Sequence, residues 1–147
     1  MSKARKFDPR SAARAVARKL AVQALYRWQL NAGPWQDVLG EFAEAEDMPK
    51  ADPAYFAELI ERIACDREAL DAQLHGWLDR EPRALDPVQH AVLLIGTYEL
   101  GSRPDIPYRV VISEAVGLAK RFGATDGHDF VNAVLDRAAR ELRPAER

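Results

Sequence analysis

The 147-residue sequence contains one cysteine, Cys65, and therefore cannot form an internal disulfide bond. The apolar run LIERIACD around it predicts a buried, unreactive thiol, which fits a reducing cytoplasm. No apolar run is long enough to span a membrane, and Arg14, Arg18 and Lys19 interrupt the stretch that would form the core of a signal peptide. These features predict a cytoplasmic protein without a membrane segment.

The sequence also lacks the usual marks of a catalytic or metal site. Its three histidines, His75, His90 and His128, show no metal-ligand spacing with one another or with Cys65. There is no phosphate-binding Walker loop, no glycine signature for a dinucleotide and no elbow that would expose a serine nucleophile. We therefore expect no metal, no cofactor and no catalytic residue.

No segment shows the alternation of apolar and polar residues that is typical of a β-strand, whereas apolar residues recur at helical spacing in seven segments. The sequence therefore predicts an all-α fold, a helical bundle of about seven helices. Asp52 and Asp66 are candidate caps for the third and fourth helices, but the pattern leaves open whether these two are separate or continuous. The predicted helices cover residues 11–30, 35–45, 53–65, 67–81, 86–100, 107–122 and 127–142.

The last two helices are the most clearly marked pair. Gly123 is predicted to end the first of them in a left-handed conformation, and Asp126 to cap the second, with Phe130 in its apolar stripe. Because the connection is short and both helices are amphipathic, we expect them to pack antiparallel.

The formal net charge of −2 conceals a strong asymmetry along the chain. Residues 1–36 carry eight Lys/Arg and one acidic residue, whereas residues 37–81 carry four basic and thirteen acidic residues. Arg10, Arg14 and Arg18 follow one another at four-residue spacing and are predicted to form a basic line on the first helix. A basic end on an acidic protein is typical of a contact with a polyanion, although such a line can also be an ordinary solvated face.

Three stretches together resemble the NusB family of bacterial transcription antitermination factors: RKLAVQALYRWQL at 18–30, AVLLIGTYEL at 91–100, and IPYRVVISEAVGLAKRFGATDGHDFVNAVLD at 106–136. The resemblance implies a single NusB-like domain over residues 1–147, without catalytic activity. Within it we expect a basic, flexible arm at 1–10 and two packed helical subdomains at 11–66 and 67–142. It further implies binding of boxA RNA together with the ribosomal protein NusE, and association with NusA, NusG and RNA polymerase. The free protein is a possible homodimer.

The resemblance also suggests which residues form the site, and the basic arm extends that set. Tyr26 and Gln89 are expected at the partner interface, although Tyr26 is predicted to be packed rather than exposed. Many family members carry a basic residue where this chain has Leu94, so a phosphate contact from that helix is not expected here. The expected RNA-binding residues are Lys3, Arg5, Lys6, Arg10, Arg14, Arg18, Gln23, Asp126 and Phe130.

Two other functions are compatible with parts of the sequence. A similar helical domain precedes the catalytic part of some ribosomal-RNA cytosine methyltransferases, but 147 residues leave no room for a cofactor-binding fold. A DNA-binding helix-turn-helix could be placed over 103–132, but Asp126 and Asp129 would then face phosphate at the start of the recognition helix, which is electrostatically unfavourable.

Overall fold

The computed structural model describes residues 8–146, and over this range the predicted all-α fold is confirmed. Two short 3-10 turns, Met48–Lys50 and Pro82–Ala84, lie between α-helices. The seven α-helices are α1 Pro9–Leu30, α2 Trp35–Phe42, α3 Pro53–Cys65, α4 Arg67–His75, α5 Pro87–Ser102, α6 Tyr108–Phe122 and α7 Gly127–Leu142.

Local capping explains where the N-terminal helices begin. Asp8 accepts hydrogen bonds from the backbone N–H of Arg10 and the hydroxyl of Ser11, so α1 starts two residues earlier than predicted. Asp52 caps α3 as predicted, because its side chain accepts a hydrogen bond from the backbone N–H of Tyr55. Helices α3 and α4 are separate, since Asp66 between them leaves the helical conformation.

Cys65, the last residue of α3, is exposed, so the prediction of a buried thiol was wrong. The buried face of α3 is formed by Tyr55, Phe56, Leu59, Ile60 and Ile63. Cys65 lies two residues beyond Ile63, which turns its side chain about 200° around the helix and away from the core.

Helix α5 lies at the centre of the bundle, as its apolar sequence predicts. Every residue from His90 to Leu100 is buried, and α5 packs against α1, α3, α4, α6 and α7. Leu94 is completely buried, so this position presents no side chain to solvent. At Gly96 the approach to α7 is so close that an added Cβ would lie 2.7 Å from the Cδ1 atom of Leu135.

The remaining helices surround α5. Helix α1 packs against α2 and α3, and α6 packs extensively on α7, as predicted for the last helix pair. Because α5 contacts helices from both halves of the chain, the division into subdomains at residues 11–66 and 67–142 remains a prediction. Within residues 8–146, none of the helices has the length and apolar character needed to cross a bilayer.

Candidate nucleic-acid and partner interface

The basic end of α1 presents two of its three predicted arginines at the surface. Arg10 is exposed. The Arg14 side chain is 20% exposed; its Nη1 lies 3.5 Å from Asp105 Oδ2, and its guanidinium lies 5.0 Å from the centre of the Tyr55 ring. Arg10 and Arg14 line a pocket of about 300 Å³ beside the N-terminus of α6, together with Arg18 and the acidic residues Asp8, Asp105 and Glu114. An anionic ligand at this end of the molecule would meet Arg10 directly and would compete with Asp105 for Arg14.

Arg18 is buried, which corrects the prediction that it lies on an exposed basic line. It is only 3% exposed, and its Nε donates a hydrogen bond of 2.8 Å to Oε2 of Glu99, which is 1% exposed. Burial lowers the pKa of Arg18, but the Glu99 carboxylate outweighs this effect and raises it above its ordinary value. Arg18 therefore serves an internal ion pair; it borders the pocket of Arg10 and Arg14, but Glu99 and Glu114 already occupy its guanidinium.

The Arg18–Glu99 pair belongs to a polar network that joins α1, α3 and α5. The Tyr55 hydroxyl donates a hydrogen bond to the same Glu99 oxygen, and burial together with Glu99 raises the pKa of Tyr55. Arg103, just after α5, lies 5.2 Å from the centre of the Tyr55 ring and pairs with Glu58 on α3 at 2.9 Å. Glu99 and Arg103 therefore fix the position of the Tyr55 ring. Because the Arg14 guanidinium packs on that ring, the network also restricts the position of Arg14.

A second group of predicted residues lines a groove of about 550 Å³ near the other end of α1. Gln23 is exposed, and Tyr26 is 40% exposed, so the prediction that Tyr26 is packed was wrong. The groove is completed by Asp86 and Val88 at the start of α5 and by residues 122–124. Its walls are mainly apolar, which suits a protein partner better than a phosphate backbone.

Gln89 directly follows Val88, which lines the same groove. A Cβ built on Gly127 would lie 3.0 Å from the Gln89 side-chain nitrogen, so this glycine allows the amide of Gln89 to approach the start of α7 closely. Gln89 is half-buried. The predicted partner residues Tyr26 and Gln89 thus lie in the same region of the surface.

The turn between α6 and α7 differs from its predicted geometry at both ends. Gly123 ends α6 in an extended conformation, with φ −90°, rather than in the predicted left-handed one. A glycine is still required, because a Cβ there would lie 2.6 Å from the Ala119 carbonyl oxygen. Asp126 takes the left-handed conformation instead, with φ 69°, and its side chain makes no capping hydrogen bond. The exposed carboxylate of Asp126 is therefore not used by the helix that it precedes.

Phe130 lies one turn into α7 and is half-buried. The Arg80 guanidinium lies 5.4 Å from the centre of its ring, and both residues line a pocket of about 390 Å³ with Trp77 and Arg137. Arg137 also donates a hydrogen bond to the Trp77 backbone carbonyl. An aromatic ring flanked by cations is an arrangement that can stack a nucleobase.

The structure therefore divides the expected RNA-binding residues into separate surfaces. Arg10 and Gln23 lie thirteen residues apart on α1, a rise of about 20 Å. Arg18 borders the pocket of Arg10 and Arg14 but is buried. Asp126 lies two residues beyond Ala124, which lines the groove of Gln23, and Phe130 lies in a third pocket with Arg80. Lys3, Arg5 and Lys6 lie outside the described residues.

Sequence reasoning missed the exposed hydrophobic strip on α1 and the partner of Arg18. Tyr26 and Leu30, 40% and 55% exposed, are the large hydrophobic side chains exposed among residues 8–146. The ion pair could have been predicted from the sequence, because Glu99 is the sole charged residue of the mainly apolar α5 sequence PVQHAVLLIGTYELGS. A charge in such a helix indicates a buried partner.

The histidines and carboxylates form no recognisable metal centre among the described residues. His90 is 2% exposed, and its Nε2 lies 2.6 Å from Oδ1 of Asp71. His75 and His128 pair with Glu81 and Asp129.

Comparison with known proteins places this fold in a family. The model of the NusB family matches residues 15–140, nearly the whole described chain. The chain belongs to the NusB family. It is 47% identical over 133 residues to the transcription antitermination protein NusB of Idiomarina loihiensis, covering 90% of this chain and 96% of that protein. It is 49% identical over 137 residues to NusB of Teredinibacter turnerae, covering 92% and 93%.

Solved NusB structures share the fold. T. maritima NusB superposes with a TM-score of 0.78 at 27% identity, covering 93% of this chain and 94% of that one. A crystal structure of the antitermination factors NusB and NusE in complex with dsRNA gives a TM-score of 0.76 at 23% identity, covering 86% and 96%. The predicted membership of the NusB family is confirmed.

Proposed function

We propose that this protein is an RNA-binding transcription antitermination factor that binds boxA RNA together with the ribosomal protein NusE. The observation that supports this most directly is family membership over most of the chain, combined with the exposed Arg10 and the partly exposed Arg14 at the basic end of α1. A NusB protein of the same fold has been crystallised with NusE and RNA. The function is one of binding and recruitment, without catalysis or cofactor.

RNA binding is assigned to two parts of the surface. Arg10 and Arg14, continued by Lys3, Arg5 and Lys6, contact phosphate groups, which supplies affinity that depends on salt. Gln23, Asp126 and Phe130 contact bases, since an amide and a carboxylate can hydrogen-bond to base edges and an aromatic ring can stack on them. Arg18 is excluded from the proposed site because Glu99 holds it in the interior.

NusE is assigned to the groove beside the C-terminal half of α1. Tyr26 is a suitable anchor because it is large, amphipathic and exposed, and its hydroxyl makes no hydrogen bond within residues 8–146 that NusE would have to displace. Gln89 lies on the adjoining surface, next to the start of α7. The heterodimer then joins NusA, NusG and RNA polymerase in the bacterial cytoplasm, and a homodimer is the corresponding state of the free protein.

The test is a titration of boxA RNA and of a scrambled RNA of equal length, with and without NusE, over a series of salt concentrations. We expect preference for boxA in the presence of NusE. The Arg10→Ala/Arg14→Ala variant is expected to lower the slope of log affinity against log salt by about 1.4, which is about 0.7 for each phosphate contact with a single strand. The proposal fails if NusE and the protein bind both RNAs equally.

Two further variants serve as controls, one for the loss of net charge and one for the binding of NusE. The Arg62→Ala/Arg140→Ala variant removes the same number of positive charges from exposed pairs elsewhere on the surface and is expected to leave the slope unchanged. Tyr26→Ala is expected to weaken NusE binding while changing the free energy of unfolding by no more than about 0.5 kcal/mol.

A further inference from the structure

The solvent face of α6 bears a groove that none of the assigned residues uses. It has a volume of about 540 Å³ and runs along the border between α6 and α7. Its α6 residues recur at four-residue spacing, which aligns them along one side of the helix. The lining residues are Tyr108, Arg109, Ile112, Ser113, Val116, Gly117, Lys120 and Asn132.

Small side chains keep the middle of this groove open. A Cβ built on Gly117 would meet no atom within 4 Å, and Ser113 lies one turn away on the same side. Ile112 and Val116 form an apolar floor that is half-buried. The groove can therefore accept a planar group.

Every charged side chain that lines the groove is a cation. Arg109 and Lys120 lie at its two ends, eleven residues apart, which corresponds to a rise of about 16 Å along α6. Both are exposed, and neither makes an ion pair with any residue in 8–146. The Arg109 guanidinium lies 5.6 Å from the centre of the Tyr108 ring.

The acidic groups near the groove have other partners, and Glu114, which follows Ser113 on α6, pairs with Arg18 at 3.5 Å. Glu146 accepts a hydrogen bond from the Tyr108 backbone N–H and pairs with Arg143, and Asp136 on α7 pairs with Arg140. Asp129, three residues before Asn132, is exposed beside His128. The groove lining itself remains positive on a protein whose net charge is −2. A cationic lining on an acidic protein favours an anionic ligand over a neutral or cationic one.

The groove also adjoins one of the surfaces already assigned to RNA. At its N-terminal end, the first turn of α6 separates it from the pocket of Arg10 and Arg14, which Pro107 and Val110 line. On α7 the groove is lined by Asn132, whereas Phe130, two residues earlier, is turned about 200° around the helix and lines the separate pocket of Trp77 and Arg80. The groove thus extends the surface of Arg10 and Arg14 along α6.

We propose that the α6–α7 groove, with Arg109 and Lys120 at its ends, binds single-stranded RNA adjoining the boxA segment. The two cations hold phosphates, while Ser113 and Asn132 offer hydrogen bonds to bases or ribose. This inference rests on the proposed RNA-binding function and extends the length of RNA that the protein contacts.

The experiment compares two RNAs by fluorescence anisotropy, using the full chain with NusE. One is boxA alone, and the other is boxA extended on both sides by unpaired nucleotides. We expect the wild-type protein to bind the extended RNA more tightly. The Arg109→Ala/Lys120→Ala variant loses this gain, and its salt slope on the extended RNA falls by about 1.4, whereas its binding of boxA alone is unchanged.

A second groove variant, chosen so that it does not destabilise α6, distinguishes a lost RNA contact from loss of folding. Gly117→Glu places a carboxylate in the groove, in open space and at an exposed helical position where glycine is unfavourable by up to about 1 kcal/mol. We expect it to abolish the gain from the extended RNA without lowering the melting temperature. Lys50→Ala/Arg62→Ala is the control for net charge, because both side chains are exposed and neither lies on α6 or α7, and its binding of the extended RNA remains that of the wild type.

The outcomes distinguish this inference from the function on which it rests. If boxA binds in preference to a scrambled RNA but extension adds no affinity, or the two groove variants keep the gain, the groove is not an RNA site. If those variants instead weaken NusE binding in the absence of RNA, the groove docks a protein and the inference is overturned. Equal binding of boxA and scrambled RNA would contradict the proposed function itself.

Discussion

Replacing Arg18 by alanine is expected to destabilise the fold rather than to remove an RNA contact. Its guanidinium compensates the Glu99 carboxylate, with 2.8 Å between Nε and Oε2 and both side chains almost fully buried. Loss of the arginine leaves Glu99 as an uncompensated charge in the interior, since the remaining Tyr55 hydrogen bond does not neutralise it. Breaking a buried pair in this way costs about 3–5 kcal/mol.

That loss is large beside the total stability of a small domain, which is about 5–15 kcal/mol. Urea unfolding followed by circular dichroism at neutral pH measures it directly. Arg10→Ala is the matched variant on the same helix, and because Arg10 is exposed we expect a change within about 0.5 kcal/mol.

An apolar replacement of the whole cluster separates charge burial from packing. Arg18→Met combined with Glu99→Leu removes both charges, and Tyr55→Phe removes the hydroxyl that would otherwise lose its acceptor. We expect this triple variant to recover most of the stability lost in Arg18→Ala and to retain RNA affinity. The reasoning is refuted if Arg18→Ala costs less than about 1 kcal/mol, or if the stable triple variant loses RNA binding as Arg10→Ala/Arg14→Ala does.

Two further predictions concern packing and pH. Gly96→Ala is expected to lower the free energy of unfolding by about 1–3 kcal/mol, because its Cβ would lie 2.7 Å from the fully buried Leu135. Gly117→Ala, in open space on α6, is expected to raise it by up to about 1 kcal/mol. Equal urea midpoints for the two variants would contradict this. Burial raises the pKa of Asp71, but the hydrogen bond and charge of His90, followed by Arg67, outweigh burial and hold that pKa below its ordinary value. The ionised carboxylate therefore stabilises the fold above its unfolded pKa of about 3.9, and this contribution is lost as the pH falls through the lower folded value. Unfolding curves between pH 2 and 6 are expected to show Asp71→Asn less stable than the wild type at pH 6, with a difference that shrinks below about pH 4. A constant difference over that range would contradict the assignment.

Much of the helical layout follows from local sequence. The Asp52–Pro53 pair starts α3, and the continuous apolar run of α5 predicts its central position, because capping and helical spacing act within a few residues. Family membership was also predictable, since it depends on motifs rather than on packing.

The accessibility of the site residues depended on contacts between distant segments. The spacing of Arg10, Arg14 and Arg18 predicts a line on one helix, but Glu99 lies 81 residues from Arg18 and draws that arginine into the core. Tyr26 is a large aromatic residue of the kind usually found in a core, but within residues 8–146 its side chain is 40% exposed and lines an open groove.

The geometry of the α6–α7 turn was likewise not predictable from the local sequence. The sequence indicates that a turn occurs between Gly123 and Asp126, but the carbonyl of Ala119 and the amide of Gln89 decide its geometry, and the left-handed residue is Asp126 rather than the glycine. By itself the sequence determined the helices, the family and the positive charge at one end of the chain. Only the tertiary structure decided which cations remain exposed, because a charge is neutralised or exposed by neighbours that the chain brings together on folding.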